Sequence, residues 1–387
     1  MVNHHMPENK RRNSGLFPNW CAILAVSSWT AQAGPTQVYS HGEPTEFEQY
    51  MLEMVNRARL DPTGEASRYG IDLNEGPPQT LISSAPKQPL AFNPHLLDSA
   101  RQHSQWLLAN NTFSHIGVGG STPGGRMTAA GYVFSGSWAN GENLAWNGTN
   151  GVVDVSASIR MNHEDLFVDT SEDGRGHRIN LLNGRFREIG IGAEEGPFTT
   201  GGLTYNSLMI TQDFGQTDAN PASFLVGVVY QDRDGDGLYS PGEGLAGVSV
   251  MPAQGTYYAV TSASGGFAIP LDATSGALTV TVSQGPLSTP ITKTVQLTGQ
   301  NVKLDFETLH DTPSVTPVRL GVPRLLADGR FAMSVSGTTG QSVALQASAD
   351  LVNWQSVQTL TLTSPQTDVF DSPPAWAPQR FYRVLGQ

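Results

Sequence analysis

The feature that most constrains the fold of this 387-residue chain is a change of hydrophobic pattern near residue 217. From about residue 44 to 216, apolar residues recur at helical spacing and alternate with Gly-rich turns and short apolar runs. Beyond residue 217 the helical spacing disappears, and short runs rich in Val, Thr and Leu are separated by clusters of Gly, Pro, Ser and Asp. This change predicts an α+β unit followed by all-β structure.

Start and stop signals place the elements of the first unit. Thr45 and Glu48 have the spacing of a capping box, and the helix that they open ends before Asp61-Pro62. The same kinds of signal predict a helix that opens at Asn93, a helix over residues 152–167, and strands over residues 188–193 and 204–213. Together these elements predict an α+β unit or a layered α/β/α unit over residues 44–216.

Two later stretches, residues 217–307 and 318–387, have the pattern of small β-sandwiches. Residues 308–317 contain two prolines and predict a linker between them. The predicted architecture is therefore an α+β unit, with α/β/α layers as one possibility, followed by two all-β sandwich-like modules.

The first 33 residues have the features of a cleavable signal peptide. A basic segment, Lys10-Arg11-Arg12, precedes an apolar stretch over residues 20–26, and Ala31-Gln32-Ala33 matches the cleavage pattern. Residues 34–43 then form a short lead into the first domain. No later stretch approaches the roughly 20 apolar residues of a membrane span. We therefore expect a secreted or cell-surface protein without a transmembrane segment in its mature form.

Charge and cysteine content narrow the partners further. The chain carries a formal net charge of −12 at pH 7, which repels phosphate backbones and argues against nucleic acid as a partner. Its single cysteine, Cys21, lies inside the predicted signal peptide, so the mature chain is expected to hold together without disulfides.

Four segments of the first unit carry residues that bind metals or transfer protons. They are Phe113-Ser114-His115, Gly141-Glu142-Asn143-Leu144, His163-Glu164-Asp165 and Gly174-Arg175-Gly176-His177-Arg178. If the fold gathers them, imidazole and carboxylate groups together suit a divalent metal, zinc before manganese or nickel. Without a metal, the same groups suit a general base and its partner. The alternative for any one of these residues is an ordinary hydrogen-bonded side chain.

Taken in order, the motifs of residues 44–216 resemble the CAP superfamily, which includes cysteine-rich secretory, antigen-5 and pathogenesis-related proteins and bacterial SCP-like extracellular proteins. The segments that carry the resemblance are Asn56-Arg57-Ala58-Arg59, Pro89-Leu90, Phe113-Ser114-His115, Arg126-Met127, Gly141-Glu142-Asn143-Leu144-Ala145, Gly176-His177-Arg178-Ile179-Asn180-Leu181-Leu182, Glu188-Ile189-Gly190-Ile191-Gly192 and Thr211-Gln212-Asp213-Phe214-Gly215.

The resemblance implies an α/β/α sandwich with a large cleft that holds a tetrad of two histidines and two acids. His115, Glu142 and His177 match the family pattern directly, and Glu164 is the expected fourth member because Met161, Glu164 and Phe167 have the spacing of the helix that supplies it. Should that alignment shift, the substitutes are Asp165 and Asp169. The cleft would then bind zinc or another divalent metal, together with a small-molecule, lipid or peptide ligand.

The pair His163-Glu164 does not open a zinc-protease motif. A helical HExxH motif would require histidine at position 167, which is Phe167 here. The chain also lacks a G-x-S-x-G nucleophile elbow and a phosphate-binding P-loop.

Residues 232–243 match a twelve-residue calcium loop. Asp232, Asp234 and Asp236 occupy loop positions 1, 3 and 5, Leu238 offers its carbonyl at position 7, and Glu243 closes the loop. The flanking segments predict strands, so the loop resembles those of bacterial extracellular β-modules. An acidic hairpin turn without calcium is the alternative.

The last seventy or so residues resemble, more loosely, a C-terminal β-module of secreted environmental bacteria. Trp354 and Phe381 could stack on a cell-surface polysaccharide, or they could be core aromatics.

Three functions fit this sequence. The first is a secreted binding protein whose cleft holds a metal and a ligand. The second is a metal-dependent extracellular hydrolase, a peptidase, with Glu142 or Glu164 as the base. The third is an adhesive surface protein with a vestigial cleft. The lack of a recognisable Ser or Cys nucleophile favours binding over catalysis.

Overall fold

A computed structural model describes residues 34–76, 80–311, 318–373 and 379–386. The predicted signal peptide and residues 312–317 of the predicted linker lie outside the described residues. No helix in these ranges is long and apolar enough to cross a membrane.

The first unit is built on a four-stranded sheet with the order β2-β4-β5-β3. Its strands are β2 (Ala91–Phe92), β3 (Trp138–Thr149), β4 (Glu188–Thr200) and β5 (Leu203–Thr217). Strand β3 pairs antiparallel with β5 and forms one edge of the sheet. This strand carries Glu142 and was not among the predicted elements.

Helices cover both faces of this sheet. They are α1 (Glu46–Leu60), α2 (Pro62–Arg68), α3 (Pro94–Ala109), α4 (Pro123–Ala129), α5 (Val155–Val168) and α6 (Gly176–Leu181). Ile189 and Ile191 of β4 join the core that contains α1 and α5, whereas the alternate residues Gly190 and Gly192 face α3. Because side chains alternate along a strand, α3 lies on the opposite face from α1 and α5. The predicted α/β/α layering is confirmed.

Local signals start two of the helices as predicted. The capping box of Thr45 and Glu48 forms at the start of α1, and the side chain of Asn93 accepts from the His95 N–H at 2.9 Å at the start of α3. Glycine in β4 then lets α3 approach closely, because a Cβ on Gly190 would come within 2.0 Å of the Leu96 carbonyl carbon.

The described region after residue 217 is built mainly from strands, as predicted. Two sheets form the next module, in the orders β1-β8-β7-β10-β11 and β12-β6-β13, with β9 also paired to β6. Their strands are β1 (Gln37–Val38), β6 (Phe224–Tyr230), β7 (Ser249–Pro252), β8 (Tyr257–Val260), β9 (Gly266–Pro270), β10 (Gly276–Ser283), β11 (Ile291–Leu297), β12 (Val302–Lys303) and β13 (Phe306–Glu307). A short helix, α7 (Thr308–Asp311), begins the predicted linker.

Strand β1 belongs to the segment that the sequence left as a lead. It pairs in parallel with β8, so the chain passes through the β-module before it enters the α/β/α unit.

Strand β6 is buried along its whole length because each of its faces packs against a different unit. Leu225 and Val229 join the core of the β-module, whereas Val228 and Tyr230 join the core that contains α1. Asn301 adds hydrogen bonds from its side-chain amide to the carbonyls of Pro89 and Arg187, at 2.8 and 2.7 Å. The α/β/α unit and the first β-module therefore share a continuous packed interface.

The last module has two sheets, in the order β14-β16-β15 with β19 paired to β16, and in the order β18-β17-β20. Its strands are β14 (Arg319–Leu320), β15 (Arg324–Leu325), β16 (Phe331–Ser336), β17 (Ser342–Ser348), β18 (Gln355–Thr361), β19 (Gln366–Asp371) and β20 (Phe381–Gly386). The Trp354 ring carries the Arg383 guanidinium over its face, 4.2 Å from its centroid. This cation–π contact occupies one face of Trp354, one of the two aromatic residues considered for stacking on a polysaccharide.

Candidate functional site

Edge strand β3 places Glu142 beside a histidine and an arginine. His115, in the loop after α3, has Nδ1 2.7 Å from Glu142 Oε1, and Arg126 of α4 contacts Glu142 Oε2 through Nη2. Arg126 also donates from Nη1 to the carbonyl of His115 at 3.0 Å. The Glu142 side chain is buried, while that of His115 is 51% exposed. One arginine therefore fixes both the carboxylate and the loop that carries the imidazole.

A second pair of imidazole and carboxylate forms between His177 of α6 and Asp169. His177 Nδ1 lies 2.8 Å from Asp169 Oδ1, and the His177 backbone N–H donates to Asp169 Oδ2 at 2.9 Å. Asp169 ends α5 in the left-handed region, with φ of 57°. Its carboxylate is fully buried, whereas the His177 side chain is 17% exposed.

Buried polar contacts hold this second pair against β3. The guanidinium of Arg178 is buried and donates to the carbonyls of Phe167 and Leu73, at 2.6 and 2.9 Å. The Asn143 amide donates to the His177 carbonyl at 3.2 Å, and the Asn180 amide donates to the Glu142 carbonyl at 3.3 Å. The two pairs therefore flank the same stretch of β3.

A comparison with known protein families assigns the part of the chain that carries these residues. The family model for CAP, the cysteine-rich secretory protein family, matches residues 52–214. That segment is a CAP domain. The match ends before the β-modules begin, so it assigns the first unit alone.

Two solved structures with detectable similarity to this chain are distant from it. An extracellular protein containing an SCP domain from Bacillus anthracis str. Ames is 21% identical, with a TM-score of 0.27, over 43% of this chain and 39% of that one. A candidate carbohydrate-binding protein from Bacteroides uniformis ATCC 8492 is 12% identical, with a TM-score of 0.17, over 43% of this chain and 80% of that one. The chain thus spans well under half of the Bacillus protein. A search of the curated proteins gives no match.

Two cavities of the CAP domain lie along β3. The first, of about 600 Å³, is lined by Phe134, Trp138, Asn140 and Glu142 together with the start of α4. The second, of about 310 Å³, is lined by Phe113, Leu144, Ala145, Trp146, Asp165, Leu166, Thr170, Ser171, Glu172 and His177. We refer to these two cavities together as the cleft; Glu142 lines the first and His177 lines the second.

The surroundings of two neighbouring carboxyl groups, those of Glu142 and Asp213, shift their pKa values in opposite directions. Burial would raise the pKa of Glu142, but the hydrogen bond from His115 and the charge of Arg126 outweigh it and lower this pKa. Asp213 lies opposite Glu142 on β5. Burial and the negative charge of Glu142 raise the pKa of Asp213 well above its usual range. Glu142 therefore favours its ionised form, beside a carboxyl group whose ionised form is disfavoured.

The structure does not place Glu164 with the other predicted tetrad residues. Glu164 lies exposed on α5, and the acid that contacts His177 is Asp169, one of the two substitutes considered from the sequence. The other substitute, Asp165, lines the second cavity. A metal-binding role for Glu164 stays a prediction, without a contact to His115 or His177 among the described residues to support it.

Arg126 is the cleft residue to which sequence reasoning gave no role. It was noted only as part of a family motif, and its contact with Glu142 depends on the packing of α4 beside β3. His163, which precedes Glu164 in the sequence, is buried, and its Nε2 lies 2.9 Å from Glu65 Oε1. This contact agrees with the rejection of a zinc-protease motif at His163-Glu164.

Three carboxylates of the predicted calcium loop lie together. One ligand oxygen from each of Asp232, Asp234 and Asp236 lies within 4.8 Å of the others. Glu243 is buried, and its two oxygens accept the backbone N–H groups of Arg233 and Ser240, at 2.7 and 2.8 Å. The roles of Glu243 and of the Leu238 carbonyl as ligands stay predictions.

Proposed function

We propose that this CAP-domain protein is an extracellular binding protein whose cleft holds a divalent cation, zinc in the first instance, through His115 and His177. Export is supported by the predicted signal peptide, and a distant structural neighbour is described as an extracellular protein. The second part of the proposal is that the loop at residues 232–243 binds calcium.

The observation that carries the proposal is the orientation of the two imidazoles. Each histidine has Nδ1 at hydrogen-bond distance from a buried carboxylate, Glu142 or Asp169. Metal-binding histidines commonly make this contact, because it fixes the tautomer and leaves Nε2 free to bind a metal. His115 and His177 therefore offer two nitrogen donors of the kind that zinc accepts.

The fit is one of donor chemistry. Within the described ranges, only the acidic loop has three or more possible ligands whose donor atoms lie within 4.8 Å of one another. The cleft residues do not form such a group. A cation in the cleft would therefore be held by the two imidazoles and would keep positions for water or an added ligand. When bound, it would supply a Lewis acid to a polar group of that ligand.

The state of Glu142 favours binding over hydrolysis. Both of its oxygens are engaged, by His115 and by Arg126, and its lowered pKa makes it a weaker proton acceptor than an ordinary glutamate. The other base considered from the sequence, Glu164, is exposed on α5.

Calorimetric titration of the full chain with zinc chloride tests the cleft. The chain should bind zinc, and His115→Ala and His177→Ala should each weaken binding by at least about tenfold. His310→Ala is the matched control, since His310 is exposed outside the CAP domain. Unchanged zinc affinity in both cleft variants, with their folds retained, would overturn the metal proposal.

A further inference from the structure

The backbone groups on the edge of β3 that faces away from β5 indicate what kind of ligand the cleft binds. In an antiparallel pair, alternate residues turn their N–H and C=O groups toward the partner strand, and the residues between them turn these groups away. The Asn180 amide donates to the carbonyl of Glu142, and the Arg185 guanidinium donates to that of Trp138. Both carbonyls therefore point away from β5.

The hydrogen bonding between β5 and β4 leads to the same assignment of outward-facing residues on β3. The N–H of Arg187, just before β4, donates to the carbonyl of Gly215 at 3.1 Å, so Gly215 turns toward β4. Asp213 lies two residues before Gly215, so its backbone groups also turn toward β4. Because Asp213 is paired with Glu142, the backbone groups of Glu142 turn away from β5. By the same alternation, Leu144 and Trp146 also turn theirs outward.

These outward groups border the second cavity. Nothing within the described ranges donates to or accepts from the backbone of Leu144 or Trp146 on this side. The cavity of about 310 Å³ is lined by Leu144, Ala145 and Trp146 in succession. Successive residues point to opposite faces of a sheet, so a cavity that all three line must lie against the edge of the strand.

The other walls of this cavity are apolar in part and acidic in part. Phe113 and Leu166 supply apolar surface, and Asp165 and Glu172 supply carboxylates, while the described lining contains no lysine or arginine. His177 lies at the same cavity, which joins it to the proposed metal site. An occupant that carries a positive side chain would complement these walls.

We propose that the cleft binds an extended peptide segment, which enters the second cavity, adds as a further strand to the unpaired edge of β3 at Leu144–Trp146 and places a lysine or arginine side chain beside Asp165 and Glu172. The inference rests on the proposed binding function and names its ligand class. It does not require that the metal be bound.

A peptide fits this edge better than a lipid or a glycan does. The unpaired N–H and C=O groups of Leu144 and Trp146 recur about every 7 Å, which is the two-residue repeat of an extended backbone. Strand addition satisfies these donors and acceptors together and is a common way for proteins to bind peptides. An acyl chain would satisfy none of them, and a glycan lacks a matching repeat of donors and acceptors.

The test is fluorescence anisotropy on the full chain, with EDTA to remove the metal. The probes are acetylated, fluorescein-labelled hexapeptides with one lysine, scanned over all positions. The tightest binder is then remade with glutamate for lysine, and with single N-methyl groups along its backbone. We expect each of the glutamate change and at least one N-methyl group to weaken binding at least about fivefold.

Protein variants locate the site on the same peptide. Glu172→Gln should weaken binding about threefold to tenfold, whereas Glu195→Gln, a change at another exposed glutamate of the CAP domain, should have no effect. Retained zinc affinity in Glu172→Gln separates a failure here from a failure of the metal site.

Three results would overturn the inference. They are the absence of a binder in the peptide set, equal binding of every N-methylated form, and binding of chitotetraose at this site in place of peptide.

Discussion

Calcium binding should stabilise the CAP domain as well as the β-module, because one residue of the acidic loop packs in the CAP core. Tyr239 is 4% exposed and belongs to the core cluster of α1 and α5. Its ring centroid lies 6.5 Å from that of Tyr50 on α1 and 6.1 Å from that of Tyr230 on β6. An ion that orders residues 232–243 therefore also fixes a side chain in the CAP domain.

The size of the effect follows from linkage. Calcium sites of extracellular modules have Kd values of about 10⁻⁴–10⁻³ M. At 10 mM calcium, such a site stabilises the folded state by about 1.4–2.7 kcal/mol if the unfolded chain does not bind. For a cooperative unit of about 150–250 residues, about 2 kcal/mol raises Tm by roughly 4–8 °C.

Differential scanning calorimetry of the full chain, in 10 mM calcium chloride or in EDTA, measures this shift, and magnesium chloride controls for ionic strength. Asp234→Asn should abolish most of the increase in Tm because it removes a central carboxylate of the cluster. Asp173→Asn, at an exposed aspartate outside the loop, should retain it. Equal shifts in the two variants, or none in the unmodified chain, would refute the reasoning.

Two further predictions concern buried carboxylates of the CAP domain. Burial would raise the pKa of Glu65, but hydrogen bonds from Arg57 and His163 outweigh it and lower this pKa to about 2. Its ionised form therefore adds stability above about pH 4.5, and this stability is lost as the pH falls toward 2. Urea unfolding of Glu65→Gln should show a loss of about 2 kcal/mol at pH 7 that shrinks toward pH 3, and a loss that does not change with pH would contradict this account. Asp169→Asn should lower zinc affinity about tenfold or more in calorimetry, while Glu164→Gln leaves it unchanged, and the reverse order would restore the role that the sequence predicted for Glu164.

Local signals in the sequence predicted much of the fold. The capping box at Thr45 and the start at Asn93 were read correctly because each depends on residues within one turn of the helix. The change of pattern near residue 217 likewise marks the end of strand β5 at Thr217. Patterns of short range were thus sufficient for the fold class.

Features that depend on distant packing were not predictable in this way. Strand β3 contains Asn140, Gly141 and Asn143, which lack the β-branched or aromatic character of a strand, and it forms because β5 pairs with it. The choice between Glu164 and Asp169 turned on where α5 ends. Its last residue before Asp169 is Val168, and the left-handed turn at Asp169 directs that carboxylate back to His177.

The pairing of β1 with β8 has a mechanical consequence. The β-module holds the chain on both sides of the CAP domain, through β1 before it and β6 after it. One proteolytic cut between residues 217 and 224 would leave the CAP domain tethered through β1. Tension applied at residue 34 would load the two-residue β1–β8 pair before it reached α1. This short pair would therefore break under force before the CAP domain was loaded.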